Sequence, residues 1–193
     1  MGPRWGLGVE VEQCIGCYAC ITACKMENGI PLGVFINRVD KAGPVGRFPK
    51  VEMRYLFKTC MQCLHPPCVQ ACSTGALRQR ADGIVVVEPD ECTGCQECLR
   101  ACPYGALAYL EEKNVAVKCD LCAHRLDRGM DPMCVGTCPT GVLILGDLND
   151  KGSPLSQRLT QGDSFVAQSG RGTSPSVRYL TSSKLAKQRL NGE

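Results

Sequence analysis

Apolar residues along this chain gather in short runs, not in long periodic stretches. Ile84-Val85-Val86-Val87 follows Asp82-Gly83, which predicts a turn leading into a β-branched strand. Val115-Ala116-Val117 predicts another short strand. Residues 25–59 are punctuated by Gly29, Pro31, Gly33, Gly43, Pro44, Gly46 and Pro49, and between them Val34 to Val39 and Val51 to Phe57 predict the two strands of a hairpin. The helical signal is short and repeated. Segments Cys68–Leu77, Cys98–Leu107 and Cys134–Leu143 all read C-x3-C-x2-G-x-L, a helical turn that ends near a glycine and then meets a small apolar residue. Beyond Gly146 the pattern weakens. Asp147–Glu193 is rich in Ser, Gly, Gln and basic residues, with Ser156–Leu159 beginning a short helix, a loop at Arg171–Pro175 and a short strand at Val177–Leu180. With its polar, basic end from Ser182 to Glu193, this tail cannot bury a core alone and would wrap a partner or the chain's own surface, a disordered end being the alternative for its last ten or so residues.

Composition changes this picture. At 193 residues the chain has room for one ordinary domain or two small ones. Four Phe, five Tyr and one Trp cannot dominate a core, so Trp5 reads as an N-terminal packing residue. Sixteen Cys stand at the level where composition stops resembling an ordinary globular protein. Plentiful aliphatic residues and a net charge of only +3 argue against disorder, and that charge points to neither nucleic acid nor an acidic membrane surface. No run approaches the roughly 18 apolar residues that a membrane helix needs. Met1 to Glu12 has no apolar stretch and no twin arginine, since Arg4 stands alone, so export would depend on a partner.

The cysteines fall into four groups of four: Cys14, Cys17, Cys20, Cys24; Cys60, Cys63, Cys68, Cys72; Cys92, Cys95, Cys98, Cys102; and Cys119, Cys122, Cys134, Cys138. Groups one and three read C-x2-C-x2-C-x3-C, and Pro103 completes the third. This run is the ligand signature of a cubane iron–sulfur cluster, in which the fourth Cys serves the other cluster of a pair. Groups two and four keep both ends and lengthen the middle step. Three thiolates on a tight loop converge on one cube, while the fourth, just beyond on a helical turn, points away. A disulfide scaffold is disfavoured, because C-x2-C pairs at fixed intervals are metal spacing. Zinc draws two ligands from each of two knuckles and does not need three consecutive cysteines plus a fourth.

Cluster loop, short helix and hairpin alternate here as in a two-cluster bacterial ferredoxin, twice over, across Val9 to about Leu145. With Cys24–Asn28, Gly33–Phe35, Pro66-Pro67-Cys68 and Lys118–Arg125, the chain resembles the four-cluster electron-transfer subunits of molybdopterin oxidoreductases, of the polysulfide, thiosulfate and dimethyl sulfoxide reductase type. The resemblance implies an α+β fold of two bacterial-ferredoxin-like lobes with an irregular C-terminal tail. The second lobe (52–111) would be inserted into the first (1–51 plus 112–146), and 147–193 would form an extended partner-binding tail. It implies four [4Fe-4S] clusters with crossed ligation: Cys14, Cys17, Cys20 and Cys138; Cys24, Cys119, Cys122 and Cys134; Cys60, Cys63, Cys68 and Cys102; Cys72, Cys92, Cys95 and Cys98. Every position is Cys, so no three-iron cluster is expected, although Ser73 and Lys25 replace the usual Pro after Cys72 and Cys24.

The same resemblance implies an electron-transfer subunit with no catalytic site and no small-molecule substrate of its own. It would relay electrons between a molybdopterin (Mo or W) catalytic subunit and a membrane quinone-reactive anchor subunit. Its place would be at the membrane through partners, on the extracytoplasmic face by co-export, with the cytoplasm as the other option. The alternative is a polyferredoxin subunit of a soluble cytoplasmic complex without a membrane anchor. Oxidised clusters carry about −2 each with their thiolates, which turns +3 into about −5. Lys25, Lys58, Lys118, Arg78, Arg100 and Arg125 lie near ligands in sequence, where they would raise cluster potentials or form a solvated basic surface. His65 and His124 would cap loops or face a partner, since each group already has four Cys. Residues 25–59 would dock on the catalytic subunit or cover the first lobe. No GxGxxG, P-loop or GxSxG motif is present.

Overall fold

A computed structural model describes residues 2–192. The β-branched and aliphatic runs become strands and each cysteine group lies where a strand hands over to a short helix. Strand β1 (Trp5–Glu10) leads through the first cysteine loop into helix α1 (Ala19–Glu27). Strands β2 (Arg38–Arg47) and β3 (Lys50–Lys58) form an antiparallel hairpin with Val39 opposite Phe57. Helix α2 (Pro67–Gln70) and hairpin β4 (Leu77–Gln79)–β5 (Val85–Val87) follow, then helix α3 (Glu97–Ala101) and hairpin β6 (Leu107–Leu110)–β7 (Val115–Lys118). Helices α4 (Ala123–Leu126) and α5 (Met133–Gly136) precede strand β8 (Leu143–Asp147).

The predicted hairpin exists, with its first strand displaced. Val34–Asn37 are not strand; Lys25 Nζ donates to the Pro31 and Val34 carbonyls and holds them in a loop. Strand β2 runs instead through Gly43 and Pro44. Proline has no N–H for the ladder, and a shift of register between Ala42 and Val45 takes Pro44 out of it.

The tail expected to be irregular is instead regular structure laid on the chain's own core. Helix α6 (Pro154–Thr160), strand β9 (Ser164–Phe165), strand β10 (Val177–Leu180) and helix α7 (Lys184–Asn191) occupy it. Ser153 and Ser183 cap α6 and α7 by accepting hydrogen bonds from the Ser156 and Ala186 N–H groups. Glu193 of the predicted terminus lies outside the described residues.

Strand β10 enters the sheet at its centre. The order is β8-β1-β10-β9, with β10 parallel to β1 (Leu7 opposite Val177, Val9 opposite Tyr179) and β8 antiparallel to β1 on the other side. Composition understated this segment because its few apolar residues are placed at alternate positions facing the core. Tyr179 is fully buried, and its hydroxyl donates to the Phe57 carbonyl at 3.1 Å. Helix α6 seats Leu155 against Gly8 and Gly146, where a Cβ on either glycine would collide with Leu155. Leu7, Val9, Val11, Ile21, Phe57, Met61 and Tyr179 share this larger core, in which Trp5 is a half-buried edge. A smaller core joins Leu77, Val85 and Ala116 to Cys68 and Cys98.

Candidate metal centres

Groups one and three sit on loops of one design. In the first, Gly16 and Tyr18 have φ of 67° and 61°; in the third, Gly94 and Gln96 have 71° and 60°. These left-handed residues curl the backbone so that successive N–H groups turn inward, and the third Cys (Cys20, Cys98) then sits on α1 or α3. The glycines are required by contact as well as by φ, because the ring of Tyr55 lies over Gly16 and the side chain of Asn114 over Gly94.

Groups two and four reach the same end differently. Cys60 and Cys63 follow β3, and Cys68 lies on α2, which Pro67 starts at a position where a missing N–H costs nothing. The long gap of group four holds α4, tied by Arg125 Nε to the Asp131 carbonyl (2.8 Å). His124 Nε2 meets Glu27 on α1 at 2.8 Å, so the fourth group is clasped to the first helix. The fourth Cys is helical only in group one (Cys24); Cys72, Cys102 and Cys138 each fall just after a short helix.

All sixteen thiols are free. Cys14, Cys17, Cys20 and Cys138 line one cavity together with Gly16, Val39 and Phe57. Burial pushes the Cys20 thiol up to about 12, helped by the negative charge of Cys14, Cys138 and Cys17. The same pattern recurs elsewhere. Burial and then Cys60, Cys68 and Cys102 raise Cys63, and burial and then Cys72, Cys92 and Cys95 raise Cys98. Burial raises Cys134, helped by the negative charge of Cys119, Cys122, Cys24 and Cys20. Four thiols drawn together in a dry place keep their protons unless a cation compensates them, and metal binding would expel those protons.

Among the described residues no three His, Cys, Asp or Glu side chains converge tightly enough to share one metal ion. A zinc site needs that, since Zn–S bonds of about 2.3 Å bring its sulfurs within about 4 Å of each other. A cube of iron and sulfide holds its four thiolates further apart, and an all-thiol donor set such as Cys14, Cys17, Cys20 and Cys138 around one cavity fits it.

The polar groups around the sulfurs were not legible as ligand spacing. Thr74 and Thr140 hydroxyls lie 3.7 Å from Cys72 and Cys138. Burial pushes these two thiols up, but Thr74 and the Leu77 N–H, and Thr140 with the Val142 and Leu143 N–H groups, bring them below the ordinary thiol value. The signal was present in the repeat, where both copies read Cys-x-Thr-Gly. Asn28 Nδ2 approaches Cys24 Sγ at 3.4 Å and Cys122 Sγ at 3.9 Å. Gln62 is fully buried; it donates to the Cys119 carbonyl and accepts from the Val85 N–H, both at 2.8 Å.

The six basic residues divide. Arg78 and Arg100 form exposed pairs with Glu88 and Glu97, Arg125 joins Glu27, and Lys58 meets Asp40. Lys25 turns to carbonyls and the Phe35 ring. Lys118 alone is buried, 7% exposed; it donates to the Val85 and Cys119 carbonyls, and its charge favours the Cys68 thiolate.

Mixed helices and hairpins wrapped around cysteine quartets define a ferredoxin-type iron–sulfur protein. The 4Fe-4S dicluster domain family matches residues 51–148. The chain is 36% identical to the iron–sulfur component of a dimethyl sulfoxide reductase from Halobacterium salinarum, over 92% of this chain and 79% of that one. It is 42% identical to the protein NrfC of Escherichia coli (91% and 80%) and 36% identical to a component of the sulfite dehydrogenase of Allochromatium vinosum (90% and 81%). The chain therefore belongs to the family of iron–sulfur electron-transfer subunits of molybdopterin-type oxidoreductases, and its sixteen cysteines are the complement for four [4Fe-4S] clusters.

Proposed function

We propose that this chain is the electron wire of a respiratory complex, joining a molybdopterin catalytic subunit to a membrane quinone-reactive subunit. The observation that carries the reading is a line of neighbouring thiol quartets. Cys20, Cys134, Cys119 and Cys60 pack in one core, where Cys20 opposes the ionisation of Cys134 and Cys60 that of Cys119, and Cys68 and Cys98 share the smaller core with Cys72 and Cys92. The quartets therefore follow one another instead of lying scattered. The ligand sets we assign are Cys14, Cys17, Cys20, Cys138; Cys24, Cys119, Cys122, Cys134; Cys60, Cys63, Cys68, Cys102; and Cys72, Cys92, Cys95, Cys98. When bound, such clusters supply one-electron redox chemistry. The chain's own residues hold, bury and hydrogen-bond the sulfurs.

On this reading the chain has no catalytic residue and no substrate pocket, because every quartet is complete and leaves no open metal position. Lobe 52–111 is threaded into 1–51 plus 112–146. The lobe of groups one and four faces the catalytic partner. Ile15 and Tyr18 on the first cysteine loop and Phe48 at the β2–β3 tip (92% exposed) give that lobe an apolar outer face. The lobe of groups two and three faces the membrane partner, and residues 147–193 add to the partner surface. No helix among the described residues is long and apolar enough to cross a membrane; on this reading the partners hold the chain at the membrane, on its extracytoplasmic face. Relatives named as a reductase and as a dehydrogenase leave either direction of electron flow open to the fold. One observation favours a soluble polyferredoxin subunit instead: β10 and α7 complete the chain's own core, so the tail is not in itself a mark of a large partner.

The test is an anaerobic pull-down of the native protein with iron, sulfide, molybdenum and tungsten counted. About sixteen irons per chain with stoichiometric Mo or W and a hydrophobic third subunit is the expected result. The same iron with no membrane subunit moves the assignment to the soluble complex, and zinc in place of iron overturns both.

A further inference from the structure

The quartet Cys24, Cys119, Cys122 and Cys134 differs from the others in having all four thiols buried. It also has Asp120 beside Cys24 and Cys122. A dry site with a carboxylate nearby resists the negative charge that reduction adds, so its potential should fall out of reach of its neighbours. Three neutral donors oppose this. Asn28 Nδ2 donates to the Cys24 carbonyl at 2.9 Å and also lies 3.4 Å from Cys24 Sγ and 3.9 Å from Cys122 Sγ. Asn37 and Thr59, each only 5% exposed, leave Nδ2 and Oγ1 buried with no hydrogen-bond partner among the described residues. Such orphaned groups are costly, and here each has a thiol for a neighbour: Asn37 beside Cys24, Thr59 beside Cys119. The insert supplies Asn37, the end of β3 supplies Thr59 and α1 leads to Asn28, so three separate elements converge on one quartet.

We infer that Asn28, Asn37 and Thr59 are potential-setting positioning residues for this quartet, and that they hold its reduction potential up against its burial by donating to its thiolates. Hydrogen bonds to a charged acceptor strengthen as the acceptor gains charge, so they stabilise the reduced centre more than the oxidised one. The inference rests on the proposed ligand sets.

The experiment is a redox titration of the purified native complex followed by electron paramagnetic resonance. Asn37→Leu and Thr59→Val should each make one centre about tenfold harder to reduce, a fall of about 59 mV for one electron. The other three should stay within a few-fold, with iron content unchanged. Thr59→Ser, which keeps the hydroxyl, should match the native chain. If Asn37→Leu fails to load iron, Asn28→Ala and Thr59→Val carry the test. Cys24→Ser and Cys134→Ser identify the centre. Should both perturb one signal that the donor variants leave unshifted, the inference is overturned and the ligand sets stand. Should they perturb different signals, the ligand sets themselves fail.

Discussion

Two of the proposed quartets, one around Cys134 and one around Cys95, end in opposite surroundings. Around Cys134 every thiol is buried, and Cys119 belongs to the same core as Phe57 and Tyr179. Around Cys95 that Cys is exposed, Cys72 and Cys92 are half-buried, and the cover is two small hairpins, β4–β5 and β6–β7. The difference comes from what the rest of the chain lays over them. Hairpin β2–β3, the four-stranded sheet and α7 gather over the main core, which takes in Cys60 and Cys63 of group two besides groups one and four, whereas the cysteines around Cys95 keep only the two small hairpins. A repeated motif sets what a site holds; non-repeated segments set how dry it is.

The sharpest way to break this comparison is to remove one thiol from each quartet. Cys134→Ala should yield no soluble holoprotein, since it removes a cluster that substitutes for packing in the main core. Cys95→Ala should lose one cluster and keep about twelve irons per chain. Iron and sulfide counts with hydrogen exchange decide it; equal losses would mean that burial does not separate the two.

Tyr179→Ala comes next. It empties a fully buried aromatic site and removes the hydroxyl's bond to Phe57, at a cost of about 3–5 kcal/mol. Hydrogen exchange should speed up in β1 and β10 and stay slow in β4 and β5. Loss in both regions at once would show a single cooperative unit.

Gln62→Leu tests the join between the two regions. It orphans the Val85 N–H, at about 1–3 kcal/mol, and leaves the Cys119 carbonyl to Lys118 alone. The Val85 amide should exchange far faster while the iron count is held. An unchanged Val85 amide would remove Gln62 as the link.

The smallest effect is expected from Asp127→Asn. Arg80 donates to both Asp127 oxygens, at 3.0 and 2.5 Å, and holds that carboxyl below its ordinary value. A depressed carboxyl stabilises the fold above its unfolded pKa of about 3.8 and stops doing so as pH falls through the folded value. At neutral pH the substitution should therefore lower the melting temperature slightly. Salt near 1 M, with a screening length of about 3 Å, should erase the difference. A difference that survives salt would point to packing, not charge.

Much of the local structure was legible. Val177–Leu180 is a strand with the predicted bounds, Val85–Val87 and Val115–Lys118 are strands, and Gly75, Gly105 and Gly141 follow their helical turns with positive φ, as a repeat ending in glycine requires. The tail was misjudged because a polar composition says nothing about where its few apolar residues land. Val177 and Tyr179 need only alternate, and meet Leu7 and Val9, to become central. Asn37, Thr59 and Gln62 were invisible because single polar residues carry no spacing signal; their meaning comes from what burial places beside them.

By itself, then, the sequence determined the cofactor chemistry and its number, because thiolates at intervals of two and three residues are a local, covalently fixed property of the chain. Tertiary structure alone decided which strand stands beside β1, which lysine is buried and which quartet is dry. Those outcomes depend on contacts between residues far apart in the chain: Leu7 with Val177, Lys118 with Val85, Asn28 with Cys122. A one-dimensional pattern does not encode such distances, and in a low-dielectric interior they govern the energies that tune a redox centre.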